Sequence, residues 1–175
     1  MVSDEQVEAA WSPARLIPGT GIKGRKEQEE RSTSALLAVM AAVPSFGHAL
    51  LKPALGAPAG RISTFTEPHF KTDADGTARP DGAIVIERGK TRWVCLVEVK
   101  TGDSDLYDEQ VDGYVQIANR EGFDAVLTIS NQIVAHPSES PVKVDKRRLR
   151  KVRLGHLSWF RIRTEAVTAP CQDWG

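Results

Sequence analysis

Asp81-Gly82-Ala83-Ile84-Val85-Ile86-Glu87-Arg88-Gly89-Lys90-Thr91-Arg92-Trp93-Val94-Cys95-Leu96-Val97-Glu98-Val99-Lys100 is the stretch whose reading decides the fold. Two apolar runs, Gly82–Glu87 and Arg92–Val97, flank Gly89-Lys90, and glycine followed by any residue suits a two-residue type II′ hairpin turn. That turn sets Ile86 against Trp93 and Ile84 against Cys95 on one face. On the other face it sets Val85 against Val94, Ala83 against Leu96, and Glu87 against Arg92 as an opposite-charge pair. Cross-strand pairs of these kinds favour the register. Continued one pair further, it brings Asp81 opposite Glu98. Lys100, two residues beyond Glu98, lies on the same side of the strand.

Working outward, Arg25 to Val43 is helical, with Leu36, Val39, Met40 and Val43 at helix spacing and Pro44 ending the run. Residues 44–60, with three prolines and three glycines, read as mostly connection. Arg61 to Lys71 reads as a strand, at a sheet edge because of Pro68, and residues 73–76 as a turn. Leu106 to Glu121 reads as a helix whose apolar stripe is Tyr107, Val111, Tyr114, Val115 and Ala118. Asp124 to Ser130 is a buried-type strand, 131–145 a long loop and Val152 to Leu157 a last strand. Ser158 is an expected N-cap for a closing helix from Trp159. The order α-β-β-β-α-β, then β-α, predicts a mixed α/β fold with helices against a central sheet. Residues 1–24 read as a loosely structured lead-in, 25–168 as the domain, and 169–175 as a tail truncated from a longer chain.

Two carboxylates set face to face, with Cβ atoms about 4.5–5.5 Å apart, repel unless a cation sits between them. A hard divalent ion such as Mg2+ takes carboxylate and water oxygens, so it suits the Asp81–Glu98 pair. Pro80-Asp81 followed by Glu98-Val99-Lys100 on the partner strand resembles the PD-(D/E)xK nuclease superfamily, whose restriction-endonuclease-like core has the αβββαβ order. Gln110 and Tyr114 resemble the Gln-xxx-Tyr motif of its exonuclease-like branch. The resemblance covers about residues 25–160. It implies a Mg2+-dependent deoxyribonuclease in which Asp81, Glu98 and the Val99 carbonyl hold the metal, with Mn2+ able to substitute. Lys100 would position or activate the attacking water, and Gln110 and Tyr114 would contact substrate. A homodimer and further domains in a longer chain are also compatible with it.

The acid on the first helix stays open between two residues. Projection at 100° per residue extends the apolar stripe back to Glu29, whereas Glu30-Arg31 resembles a Glu-Arg pair of junction-resolving relatives. The stretch 146–163 has eight basic residues and no acid, which makes Arg147, Arg148, Arg150 and Lys151 candidate phosphate contacts on DNA. The alternative function is a non-catalytic nucleic-acid-binding or protein-interaction module on the same fold.

Composition bounds the rest. The chain has 175 residues, 41% of them hydrophobic and 26% charged, which fits one globular domain and not a disordered chain. With 23 basic and 23 acidic residues, a uniformly polybasic binder is excluded. The charges are segregated, since residues 101–124 carry seven acids and one basic residue. Cys95 and Cys171 form neither a disulfide framework nor a zinc spacing. The lack of a signal-like N-terminus or a long apolar run predicts a cytoplasmic protein with no membrane partner. Gly19-Thr-Gly21-Ile-Lys-Gly24 matches a dinucleotide fingerprint, but no strand precedes it.

Overall fold

The computed structural model describes residues 11–16, 25–71 and 76–168. Strands β1 (Ser12–Pro13), β2 (Arg61–Thr66), β5 (Gly82–Arg88), β6 (Thr91–Val99), β7 (Ala125–Ser130) and β8 (Arg153–Ser158) form one sheet in the order β1-β2-β5-β6-β7-β8. The first four pair antiparallel, and β6, β7 and β8 run parallel. A separate two-stranded ribbon, β3 (Phe70–Lys71) with β4 (Thr77–Ala78), sits between β2 and β5 in the chain. Helices α1 (Arg25–Ala42), α2 (Pro44–Leu55), α3 (Asp108–Glu121) and α4 (Trp159–Thr168) complete a mixed α/β architecture.

The central hairpin has the register its side chains demand. Gly82 faces Val97, Ile84 faces Cys95 and Ile86 faces Trp93. Gly89 takes a φ of 60° while Lys90 is not among the positive-φ residues, as a type II′ turn requires. Alternation along the strands then feeds two cores. Ile84, Ile86, Cys95 and Val97 pack on one side with Leu37 and Met40 of α1 and Leu50 and Leu51 of α2. Ala83, Val85, Val94 and Leu96 pack on the other with Val111, Tyr114 and Val115 of α3. Each fully buried leucine contributes roughly 1.5–3 kcal/mol of transfer free energy. The two-sided burial explains why the central strands are almost continuously apolar.

Three expectations are corrected. Residues 44–60 are not mainly connection, because Pro44–Leu55 is a helix. Pro44 takes the first helical position, where its missing N–H costs nothing, and Phe46, Leu50, Leu51, Ala54 and Leu55 form the buried stripe. Gly56, at φ 63°, closes it with its N–H donated to the Lys52 carbonyl. Arg61 to Lys71 is not one strand, since the chain breaks before Pro68, where Glu67 adopts a φ of 51°. Residues 11–16 are not loose. Trp11 is buried against Phe65, Phe70 and Phe123, with centroids 5.5, 6.0 and 6.2 Å away. The backbone N–H and C=O of Arg15 both bond the Ser34 hydroxyl at 2.9 Å. The glycine-rich match at 19–24, positions 73–75 of the expected turn, Cys171 and the 169–175 tail lie outside the described residues. No single helix among those described is long and apolar enough to cross a membrane.

Candidate active site

Alternation places Asp81 and Glu98 on the α3 side of the sheet, at the end where β6 leaves it. The charged pair therefore follows directly on the apolar pairs Ala83–Leu96 and Val85–Val94. Gly82 allows α1 to approach this strand start, since a Cβ there would collide with Leu37 and lie 3.0 Å from the Phe65 carbonyl. Asp81 Oδ2 accepts the Val99 N–H at 2.7 Å, which ties one acid to the backbone beside the other.

Glu98 is 1% exposed. Its Oε1 accepts from Lys100 Nζ at 2.6 Å, while Oε2 is buried without a hydrogen-bond partner. Tyr114 and Asp81 are near enough to bear on the Glu98 carboxylate, yet neither completes a hydrogen bond to Oε2. Burial and then the Glu98 charge push the Asp81 carboxyl up to about 8. Burial likewise raises Glu98, against the pull of the Lys100 charge. Burial alone would lower Lys100, but its hydrogen bond to Glu98 and the nearby carboxylates hold the ammonium above its ordinary value. Tyr114 is raised by burial and by the Glu98 charge.

The two first-helix acids occupy different places. Glu29 Oε1 lies 3.7 Å from Lys100 Nζ, and its Oε2 accepts the Thr101 N–H at 3.1 Å and the Thr101 hydroxyl at 3.3 Å. Glu30 lines a cleft of about 250 Å³ with Arg15, Arg31, Glu67 and Asp81. Gln110 Nε2 donates to Tyr114 Oη at 3.0 Å, and that hydroxyl donates to the Arg79 carbonyl at 3.3 Å.

Sequence reasoning missed the groups that fix the strand exit. Lys100 N–H donates to the Ile129 carbonyl at 2.8 Å, and Trp159 Nε1–H donates to the Lys100 carbonyl at 2.8 Å. Trp159 carried no signal beyond its place after the Ser158 cap. It also missed Arg79, which pairs with Glu67 at the base of the β3–β4 ribbon.

The basic stretch divides. Arg147 pairs with Asp145 at 3.1 Å and Arg148 with Asp112. Parallel pairing aligns Arg153 with Ala125 and Ser158 with Ser130, so residues 147–151 enter β8 at the end of the sheet away from Glu98. Arg161 and Arg163, on α4, follow the other end of β8.

Among the described residues no three of His, Cys, Asp and Glu form a metal-binding group. The donor set for a cation is instead two carboxylates, Asp81 and Glu98. That set fits a hard divalent ion, which takes one or two carboxylates and completes its shell with water and phosphate oxygens. The buried, unpartnered Glu98 Oε2 is the acceptor such an ion would meet first.

No family model matches the chain, and no curated protein does. Among solved structures, it is similar to an MspJI restriction endonuclease in complex with a 27-mer oligonucleotide, at 14% identity and a TM-score of 0.34. The match covers 85% of this chain but 35% of that one, so the chain spans about a third of that protein's length.

Proposed function

We propose that the chain is a Mg2+-dependent nuclease that hydrolyses DNA phosphodiester bonds, a member of the PD-(D/E)xK superfamily. The observation that carries this reading is the pairing of half-buried Asp81 with buried Glu98, whose Oε2 is unpartnered and whose Oε1 holds the Lys100 ammonium. A divalent ion held there would polarise the phosphate and acidify a bound water.

The chain's own residues supply the rest. Asp81 is fixed by the Val99 N–H, so its free oxygen has one direction to face. Lys100 stays protonated among three carboxylates and serves as a fixed positive charge for the phosphoryl oxygens, not as a base. Glu29 orients it from one side while also holding the Thr101 backbone. Gln110 and Tyr114 form a hydrogen-bonded wall on the α3 side, where a nucleotide flanking the scissile bond would rest. Hydrolysis joins a water oxygen to phosphorus, breaks one ester P–O bond and returns a proton to the leaving oxygen.

The test is a cleavage panel of labelled linear, circular, single-stranded and junction DNA with Mg2+ or Mn2+. Cleavage of at least one form by the wild type, lost in Asp81→Ala, is expected. A folded, pure protein that cuts none of them overturns the reading. A second reading, a non-catalytic binding module on this fold, is favoured by one feature, the Lys100 ammonium already occupying Glu98 Oε1. Calorimetric titration with Mg2+ separates the two: the nuclease binds it, and Glu98→Ala abolishes that binding.

A further inference from the structure

Charge is sorted along the strands. Lys90 lies in the β5–β6 turn, seven residues of β6 or more from Glu98, which is about 23 Å at 3.3 Å per residue. Arg88 closes β5 beside it, and Arg150 and Lys151 precede β8 at that same end of the sheet. These four side chains belong to exposed residues, and none has an ion-pair partner among the described residues. Four acids near this end are already engaged, while Glu139, next to the cleft-lining Ser138, is exposed. Glu87 pairs with Arg61 at 2.6 Å, Asp145 with Arg147 at 3.1 Å and Glu121 with Arg120 at 2.8 Å. The Asp124 carboxylate accepts the Val94 N–H at 2.8 Å.

The same end has a built recess. A cleft of about 440 Å³ opens between the C-terminus of α2 and the entry to β8, lined by Lys52, Arg153 and His136 and by no acidic residue. Arg153 Nη1 donates to the Leu55 carbonyl at 3.0 Å, which holds the guanidinium at the cleft wall.

We infer that this basic end is a second nucleic-acid contact, which grips the sugar-phosphate backbone at a distance from the nucleotides at Asp81–Glu98. At 3.4 Å per nucleotide along a strand, a separation of about 23 Å corresponds to roughly seven nucleotides. Arg150 and Lys151, which precede β8 at this same end, act by retaining substrate and not at the reacting phosphate. The choice of nucleic acid over another polyanion rests on the nuclease reading, but the grip itself does not require cleavage.

The test is fluorescence anisotropy of a labelled duplex of about 30 base pairs, long enough at 3.4 Å per pair to span both contacts, with metal-free protein over a salt series. The R88E/K90E/R150E/K151E variant should bind at least about tenfold more weakly and lose about 3–4 from the slope of log K against log salt. R15E/R79E, near Asp81, should change affinity less than the four-fold variant. If the four-fold variant melts early, R150A/K151A replaces it and should shift affinity and slope in the same direction. Equal affinity and slope for wild type and variant would overturn the inference. So would binding to phosphatidylserine vesicles without binding to the duplex. A wild type that grips the duplex through these residues yet cuts no DNA sinks the nuclease reading and leaves this one standing.

Discussion

At Asp81 the cost of burying a carboxyl beside Glu98 is expressed in its raised pKa. Its carboxyl ionises near 8 in the folded chain against an ordinary value of 3.8, so between those values the folded state holds a proton the unfolded state has lost. Stability must then fall as pH rises from about 4 to about 8. Thermal melts of the metal-free protein should show that decline, and Asp81→Asn should lessen it, leaving the part that the raised Glu98 adds in the same sense. His156 works in the opposite sense at lower pH. It is fully buried between Thr128 Oγ1 and the Gln132 carbonyl, each 2.9 Å away, and burial lowers its pKa. Its contribution is present above about 6.5 and fades as pH falls through the lowered value. His156→Phe should therefore weaken the acid-side loss of stability, read by the same melts. Trp159→Phe keeps an aromatic ring but removes the N–H given to the Lys100 carbonyl. If the proposed cleavage holds, loss of about 1 kcal/mol there should appear as a roughly fivefold fall in its kcat with KM little changed.

Elements are decided by their ends as much as by their stripes. Helix α2 hides behind its prolines, although Phe46, Leu50, Leu51, Ala54 and Leu55 repeat at helical spacing. Pro44 reads as a stop for α1 and is also the start of α2, a dual role that a one-dimensional scan for breakers misses. Gly56 is the matching end signal, and a Cβ there would be both strained at φ 63° and driven into the Arg153 guanidinium. Gly56→Ala should cost more than about 1 kcal/mol in denaturant unfolding. The opposite case is α4, whose cap is legible in the sequence. Ser158 immediately precedes the helix, and its Oγ accepts the Arg161 N–H at 3.1 Å, which satisfies one of the free donors of the first turn.

Across the whole molecule, the two sheet faces carry two separate cores. Trp11 joins the segment before α1 to β2, to the β3–β4 ribbon and to the residues before β7, through Phe65, Phe70 and Phe123. Trp11→Ala should therefore destabilise the entire domain by about 3–5 kcal/mol in a single cooperative transition. The sequence by itself determined the central hairpin, its register and the pairing of Asp81 with Glu98, because period-two alternation and a glycine turn are local. It also marked Lys100 and the Gln110–Tyr114 pair, which need only the strand and helix they sit on. Only the tertiary structure decided where Glu29 and Glu30 each sit, Glu29 beside Lys100 and Glu30 on the cleft, since that depends on where α1 lands on the sheet. It alone attached Trp159 to the Lys100 carbonyl across 59 positions. It also carried residues 147–151 to the end away from the carboxylates, because parallel pairing of β7 and β8 fixes a direction that composition cannot express.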